Sequence, residues 1–231
     1  MTFEIAVGDL LLEIHIAEER RVEALRAAQG HWEQVAGFLA AHPAFVDAFV
    51  PVDVEGPLPP VVEAMSGASK ALGTAPMVAL PGALAEAIAR DLAAAGTPVA
   101  ISTEGDTFAI GSEPRRFLVE LPSTVAPSGI GVRVASRRPY AFYASTIRSR
   151  IHPAVGYARA VAVLAEHGAL ADAAASAMGM AMVRREQIDR AIERVRGIAG
   201  VRGALLLIDE TVAVWGSLEL TGALARASGS R

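Results

Sequence analysis

The chain of 231 residues contains no cysteine. That excludes disulfide staples, a thiolate nucleophile and any cysteine-ligated zinc or iron–sulfur centre. Lysine is nearly absent too: Lys70 stands alone, and arginine supplies the other cationic side chains. Long apolar runs are missing, although 52% of the residues are hydrophobic and the mean hydropathy is +0.38. A bilayer span needs roughly 18 or more uncharged residues. The run after Lys70 is broken by Pro76 and Pro81 and meets Glu86, and the run after Asp172 meets Arg184. The N-terminal MTFEIAVGDLLLEIHIAEERR scatters acids among its apolar residues and carries no basic leader. The expectation is a cytoplasmic protein with no membrane segment. A net charge of −4 argues against a nucleic-acid partner, because affinity for phosphate backbones comes mainly from excess cations. With no internal repeat and no low-complexity linker, the whole of 1–231 reads as one domain, its polar end RASGSR (226–231) frayed.

The charge is unevenly spread. Between Arg115 and Arg159 there are eight arginines (115, 116, 133, 137, 138, 148, 150 and 159) against one acid, Glu120. Guanidinium groups bind phosphate or carboxylate in a bidentate fork. Tyr140, Phe142, Tyr143 and Tyr157 interleave with them and offer faces to a flat ring. The alternative is that these arginines pair with the acidic remainder of the fold or with a second subunit.

Periodicity gives the elements. Residues 3–16 alternate about Gly8-Asp9 as a hairpin. A helix is predicted from about Glu18 to Ala41, with Val22, Leu25, Val35, Phe38 and Leu39 facing inward and His42-Pro43 ending it. Further helices are predicted over 61–72, from Pro81 to the stop at Gly96, through the alanine-rich segment after His167, and over 185–197. Strands are predicted on both sides of Glu104-Gly105-Asp106, at 116–121, 130–135, 140–146 and 159–165, and in GALLLIDETVAVWGSLEL. Sheets and helices mix without regular βαβ alternation, so the fold class is α+β.

One bland stretch, HGALADAAASAMGM (167–180), keeps a carboxylate and a hydroxyl four residues apart, Asp172 and Ser176. On a helix that spacing places both oxygens on one face among small side chains. A carboxylate with a hydroxyl suits a hard cation such as Mg²⁺, which leaves coordination positions for phosphate oxygens. The plainer reading is an acid favoured by a helix N-terminus and a small core serine.

LADAAASAMG resembles the A-D-A-[LA]-[AS]-[ST]-A segment of the ApbE-type FAD:protein FMN transferases. A closer likeness is to a sister family of flavin-transferase-like proteins of archaea and bacteria, and it covers most of the chain in five ordered segments. HPAFVDAFVPV resembles that family's P-x-F-x-x-S-[LF]-x-P, and PMVALPGALAEAIARDLAAAG its G-P-M-A-A-V-A-G-A-[IL]-A-E helix. STEGDTFAIG resembles its N-G-G-D-[IT] turn, and VWGSLEL its C-terminal strand. The resemblance implies an ApbE-like fold and Mg²⁺ at Asp172 and Ser176. It also implies FAD or a related flavin at a pocket that includes Gly82, Glu86, Gly105 and Asp106.

The departures are as informative. The transferases read H-x-I-[DN]-P-x-[TS]-G before the metal strand, and their histidine resembles a general base. Here SRIHPAVG (149–156) puts Ser149 at that histidine and His152 at the acid, and a neutral serine is no base near pH 7. His152 is the catalytic candidate if the loop is rewired. Ile147, Ile151, Tyr157 and Arg159 replace the sister family's Gly, His, Lys and Asp. Arg148, Arg150 and Tyr157 become candidates for holding an anionic cofactor, FAD-like, FMN-like or pterin-like. Two functions stay open: a flavin-transferase-like enzyme, or a non-catalytic binding or assembly subunit linked to one-carbon, tetrahydromethanopterin-type metabolism. A homo-oligomer is expected from the apolar composition.

Overall fold

Strict alternation of apolar side chains over the first sixteen residues builds a hairpin of β1 (Thr2–Val7) and β2 (Leu10–Ile16), with Phe3, Ile5, Val7, Leu12 and Ile14 turned inward. Gly8 takes a φ of +55° at the turn, a left-handed conformation that costs glycine little. The computed structural model describes residues 1–17, 19–93, 96–103, 106–111, 113–119, 129–146, 160–181, 185–208 and 211–221. Gly105, Arg148, Ser149, Arg150, His152, Tyr157 and the tail 226–231 lie outside the described residues.

Helix α1 (Arg21–Ala41) follows. It buries Ala24, Ala28, Val35 and Phe38, while Val22, expected inside, is 66% exposed. The buried stripe runs through alanines because α1 lies close against a later helix, where a larger side chain would hold the backbones apart. Pro43 ends α1 as expected, but the chain coils at once into one turn, α2 (Pro43–Val46), which buries Phe45. Then come α3 (Pro60–Leu72), a 3₁₀ turn at Pro76–Ala79 and α4 (Leu80–Leu92).

The remaining strands are β3 (Val99–Thr103), β4 (Asp106–Ile110), β5 (Arg115–Val119), β6 (Ile130–Val134), β7 (Tyr140–Thr146) and β8 (Ala160–Ala165). Helix α5 (Gly168–Ala181) and, after a 3₁₀ turn at Arg185–Gln187, α6 (Ile188–Arg196) lead to β9 (Val201–Ile208), β10 (Thr211–Gly216) and β11 (Glu219–Thr221). An eight-stranded sheet runs β1-β2-β3-β4-β7-β8-β9-β10, and a three-stranded sheet runs β11-β6-β5. Every strand pairing among the described residues is antiparallel. The α+β class read from the sequence holds.

The central strands of the large sheet are buried on both faces, whereas β1, β2 and β10 expose one. One face packs on α1, α4, α5 and α6 through Ile14, Ile101, Tyr143, Val163 and Leu206, with α3 lying on α4 and α5. The other meets the small sheet through Ala109, Tyr140, Phe142, Leu164 and Leu205 against Phe117, Val119 and Val132. The aromatic residues of β7 are therefore core: Tyr140, Phe142 and Tyr143 are each about 1% exposed, and Phe117 stacks on Phe142 at 4.4 Å. The expectation that they offer open faces to a ring is corrected; period two sends Tyr140 and Phe142 to one interior and Tyr143 to the other. Among the described residues no single helix is long and apolar enough to cross a membrane.

Candidate functional site

Two helix N-termini meet at two glycines. A side-chain carbon on Gly82, in the first turn of α4, would collide with the carbonyl of Gly168 at the start of α5, and one on Gly168 would collide with the carbonyl of Gly82. Only glycine permits this approach. The first amides of any helix lack partners within it. Here each helix supplies the other's acceptor. The Gly82 N–H donates to Asp172 Oδ2 at 3.3 Å, and the Gly168 N–H donates to Glu86 Oε2 at 2.7 Å. Glu86 stands four residues after Gly82, and Asp172 four after Gly168. The two halves are thus related as Gly-x-x-x-acid, each acid capping the opposite helix.

The two acids differ in what else surrounds them. Glu86 also takes Arg90 Nε at 2.8 Å and has His167 Nδ1 3.0 Å away. Its carboxylate is buried and saturated. Asp172 is 5% exposed, and among the described residues its carboxylate accepts a hydrogen bond from the Gly82 N–H alone. Burial pushes its carboxyl up to about 8, and the Gly82 amide opposes this only in part. Near neutral pH the group therefore holds its proton unless a cation displaces it. Ser176, one turn further along α5, is 8% exposed.

Beneath Asp172 lies β7. The Tyr143 hydroxyl is buried and has no hydrogen-bond partner among the described residues. Its pKa is raised well above the usual value, first by burial and then by the charges of Asp172, Asp106 and Glu86. Asp106 begins the neighbouring strand β4, one residue beyond the Thr107–Phe142 pair, and its Oδ1 accepts from the Ala144 N–H at 2.5 Å. That bond fixes Asp106 against β7.

On the Glu86 side of the crossing a cleft of about 830 Å³ opens between α1, α3, α4 and the start of α5. Its walls are mostly small and apolar, including Ala64, Gly67, Ala83, Ala87 and Leu170. Glu63, Glu86, Arg90, Asp91, His31 and His167 stand around it, with His31 Nε2 2.9 Å from Asp91 Oδ2. A cleft of this size with an apolar floor and few polar groups suits a small planar molecule.

Of the residues singled out from the sequence, Gly82, Glu86 and Asp172 come together at the crossing, Ser176 follows Asp172 on α5, and Asp106 reaches β7 below. Gly105, Arg148, Arg150, His152 and Tyr157 lie outside the described residues. Sequence reasoning missed Gly168, His167 and Arg90, and read Tyr143 as a ring-stacking face rather than a buried hydroxyl beside the site. The repeated Gly-x-x-x-acid spacing was the signal for Gly168; nothing in the sequence marks Tyr143 apart from other strand aromatics. Among the described residues no group of three or more His, Cys, Asp or Glu side chains gathers as a metal site. Mg²⁺ does not require one, since it is commonly held by one or two carboxylates with phosphate oxygens and water.

The architecture is shared with solved flavin transferases. The flavin transferase ApbE from Vibrio cholerae matches with a TM-score of 0.59 and 13% identity, over 94% of this chain and 96% of that one. The ApbE protein of Thermotoga maritima gives 0.60 and 12%, over 94% and 96%. Identities this low show the fold alone. In sequence, the UPF0280 protein of Methanosarcina acetivorans is 25% identical over 215 residues, covering 91% of this chain and 84% of that protein. The UPF0280 protein of Methanopyrus kandleri is 30% identical over 174 residues, covering 70% and 66%. A family model described as AbpE bacteria matches residues 1–208. With its ApbE-like fold and its UPF0280 relatives, the chain is a member of that family.

Proposed function

We propose that the protein binds a phosphorylated flavin-type or pterin-type cofactor through a divalent cation held at Asp172 and Ser176. The observation that carries this is the contrast between the two capping acids. A buried carboxylate with a purely structural task is surrounded by donors, as Glu86 is by Gly168, Arg90 and His167. Asp172 is as buried but has the Gly82 amide at 3.3 Å and no cationic side chain among the described residues. An isolated buried carboxylate is costly, and such sites concentrate where a ligand completes them.

The donors fit Mg²⁺. Asp172 supplies a carboxylate and Ser176 a hydroxyl, both hard oxygens, with the α4 N-terminus beside them to favour a phosphate. A bound cation would neutralise the phosphate charge. The chain's own contribution is to hold the donors dry and to keep the helix starts in contact through Gly82 and Gly168. The apolar cleft beside Glu86 would take the ring of the cofactor, since Ala169 and Leu170 in its wall belong to the turn of α5 that carries Asp172.

Group transfer is not part of this reading. Ser149 occupies the position at which the transferases' histidine is expected, so a binding or assembly role is favoured over FMN transfer. Isothermal titration of FAD into the wild type and Asp172→Ala, with and without MgCl₂, tests the proposal. Mg²⁺-dependent binding that is lost in Asp172→Ala is expected. Equal binding by both proteins would make Asp172 structural, and binding by neither would end the cofactor reading.

A further inference from the structure

The Tyr143 hydroxyl is a buried hydrogen-bond donor with no partner among the described residues. Leaving such a group unsatisfied is destabilising. A phenylalanine would fill the same place among Ile14, Ile101 and Val163 without that cost, so the apo protein gains nothing from the oxygen. Its position is well defined. Tyr143 points to the helical side of the large sheet, where α5 lies across β7 and β8. Asp106 stands on the adjoining strand, tied to Ala144 N–H at 2.5 Å, and Asp172 comes down from α5. The carboxylates of Asp172, Asp106 and Glu86 are all near enough to act on the phenol electrostatically. A phenol is a neutral donor at physiological pH.

We infer that Tyr143 is a ligand-positioning residue whose hydroxyl donates a hydrogen bond to an anionic oxygen of the molecule held by the cation at Asp172. The inference rests on the cation site proposed above and adds to it a residue from a different element. A neutral donor suits this place better than a second cation would. It orients a phosphate oxygen without competing with Mg²⁺ for the carboxylate, and the sheet fixes it rigidly. Its interior location also bars water from replacing it.

The test uses Tyr143→Phe, an isostere that keeps the ring and its packing. Three measurements are made on wild type, Tyr143→Phe and Asp172→Asn: the urea midpoint without ligand, Mg²⁺ affinity alone, and Mg²⁺-dependent affinity for FAD and for inorganic pyrophosphate. Tyr143→Phe is expected to be as stable as the wild type or more so, to bind Mg²⁺ alone unchanged, and to lose about tenfold in affinity for both phosphorylated probes. A purely structural hydroxyl gives the reverse, a lower midpoint with unchanged probe affinity, and overturns the inference. Probe binding that Asp172→Asn abolishes and Tyr143→Phe leaves within twofold overturns it while the cation site stands. A wild type that binds neither probe with Mg²⁺ overturns both.

Discussion

Glu86 and Asp172 cap each other's helices across a pair of touching glycines, yet one is ringed by Arg90, His167 and Gly168 while the other has the Gly82 amide. The two positions share a geometry and differ in chemistry, and the difference is measurable.

Stability should depend on pH through Asp172. Its carboxyl is pushed up to about 8 in the folded protein, against 3.8 for an ordinary aspartate. Between those values the folded state holds a proton that the unfolded chain has released, so stability falls as pH rises from about 4 to about 8 and levels off above. The slope contributed by one such group is at most about 1.4 kcal/mol per pH unit. Urea midpoints from pH 5 to pH 9 should show the decline. MgCl₂ should flatten it by giving the ionised carboxylate a partner, and Asp172→Asn should flatten it without metal. A wild-type profile that rises over this range would contradict the assignment.

Glu86→Ala is expected to cost about 2–3 kcal/mol, because it strips the acceptor from the Gly168 amide and from Arg90 at a buried point. Its Mg²⁺ affinity should stay near wild type. Chemical denaturation followed by metal titration separates the two effects. Equal loss of metal binding would show that the two acids form one site.

Gly82→Ala and Gly168→Ala should each be severely destabilising, because the new carbon meets backbone rather than a movable side chain. A loss of more than about 3 kcal/mol, or failure to fold, is expected for a clash that the core cannot absorb. Thermal unfolding of both variants is the check, and a shift within two degrees of wild type would refute the tight crossing.

Gly67 lines the cleft inside α3, and an added Cβ there meets nothing within 4 Å. Gly67→Ala should stabilise the protein by about 0.5–1 kcal/mol through helix propensity. Gly67→Leu should keep the fold and lower FAD affinity by narrowing the cleft, with Mg²⁺ binding unchanged. Undiminished FAD affinity in Gly67→Leu would place the ring elsewhere.

The sequence discloses much of this architecture because its signals are local. The Gly8-Asp9 turn, the Pro60 and Pro81 helix starts and the alternation of β1 and β2 are each set by a few neighbouring residues. It discloses less where packing decides. Val22 fits a helical apolar stripe, but α1 turns its alanines inward and leaves Val22 in solvent. Tyr140 and Phe142 look like ring-stacking residues among arginines until the small sheet closes over them. For the site, Asp172 and Ser176 are visible as an oddity in an alanine run. Their relation to Gly82, 90 residues away from Asp172, exists only after folding.

That separation bears on how the chain assembles. The start of α4 lacks a cap of its own, since its N-cap residue, Ala79, makes no side-chain cap hydrogen bond. Its acceptor is made 90 residues later, and the reciprocal acceptor for α5 waits at Glu86. A ribosome that has released only the first half of the polypeptide therefore leaves α4 with a frayed beginning. The two caps close the same long-range contact, so any truncation before α5 forfeits both at once.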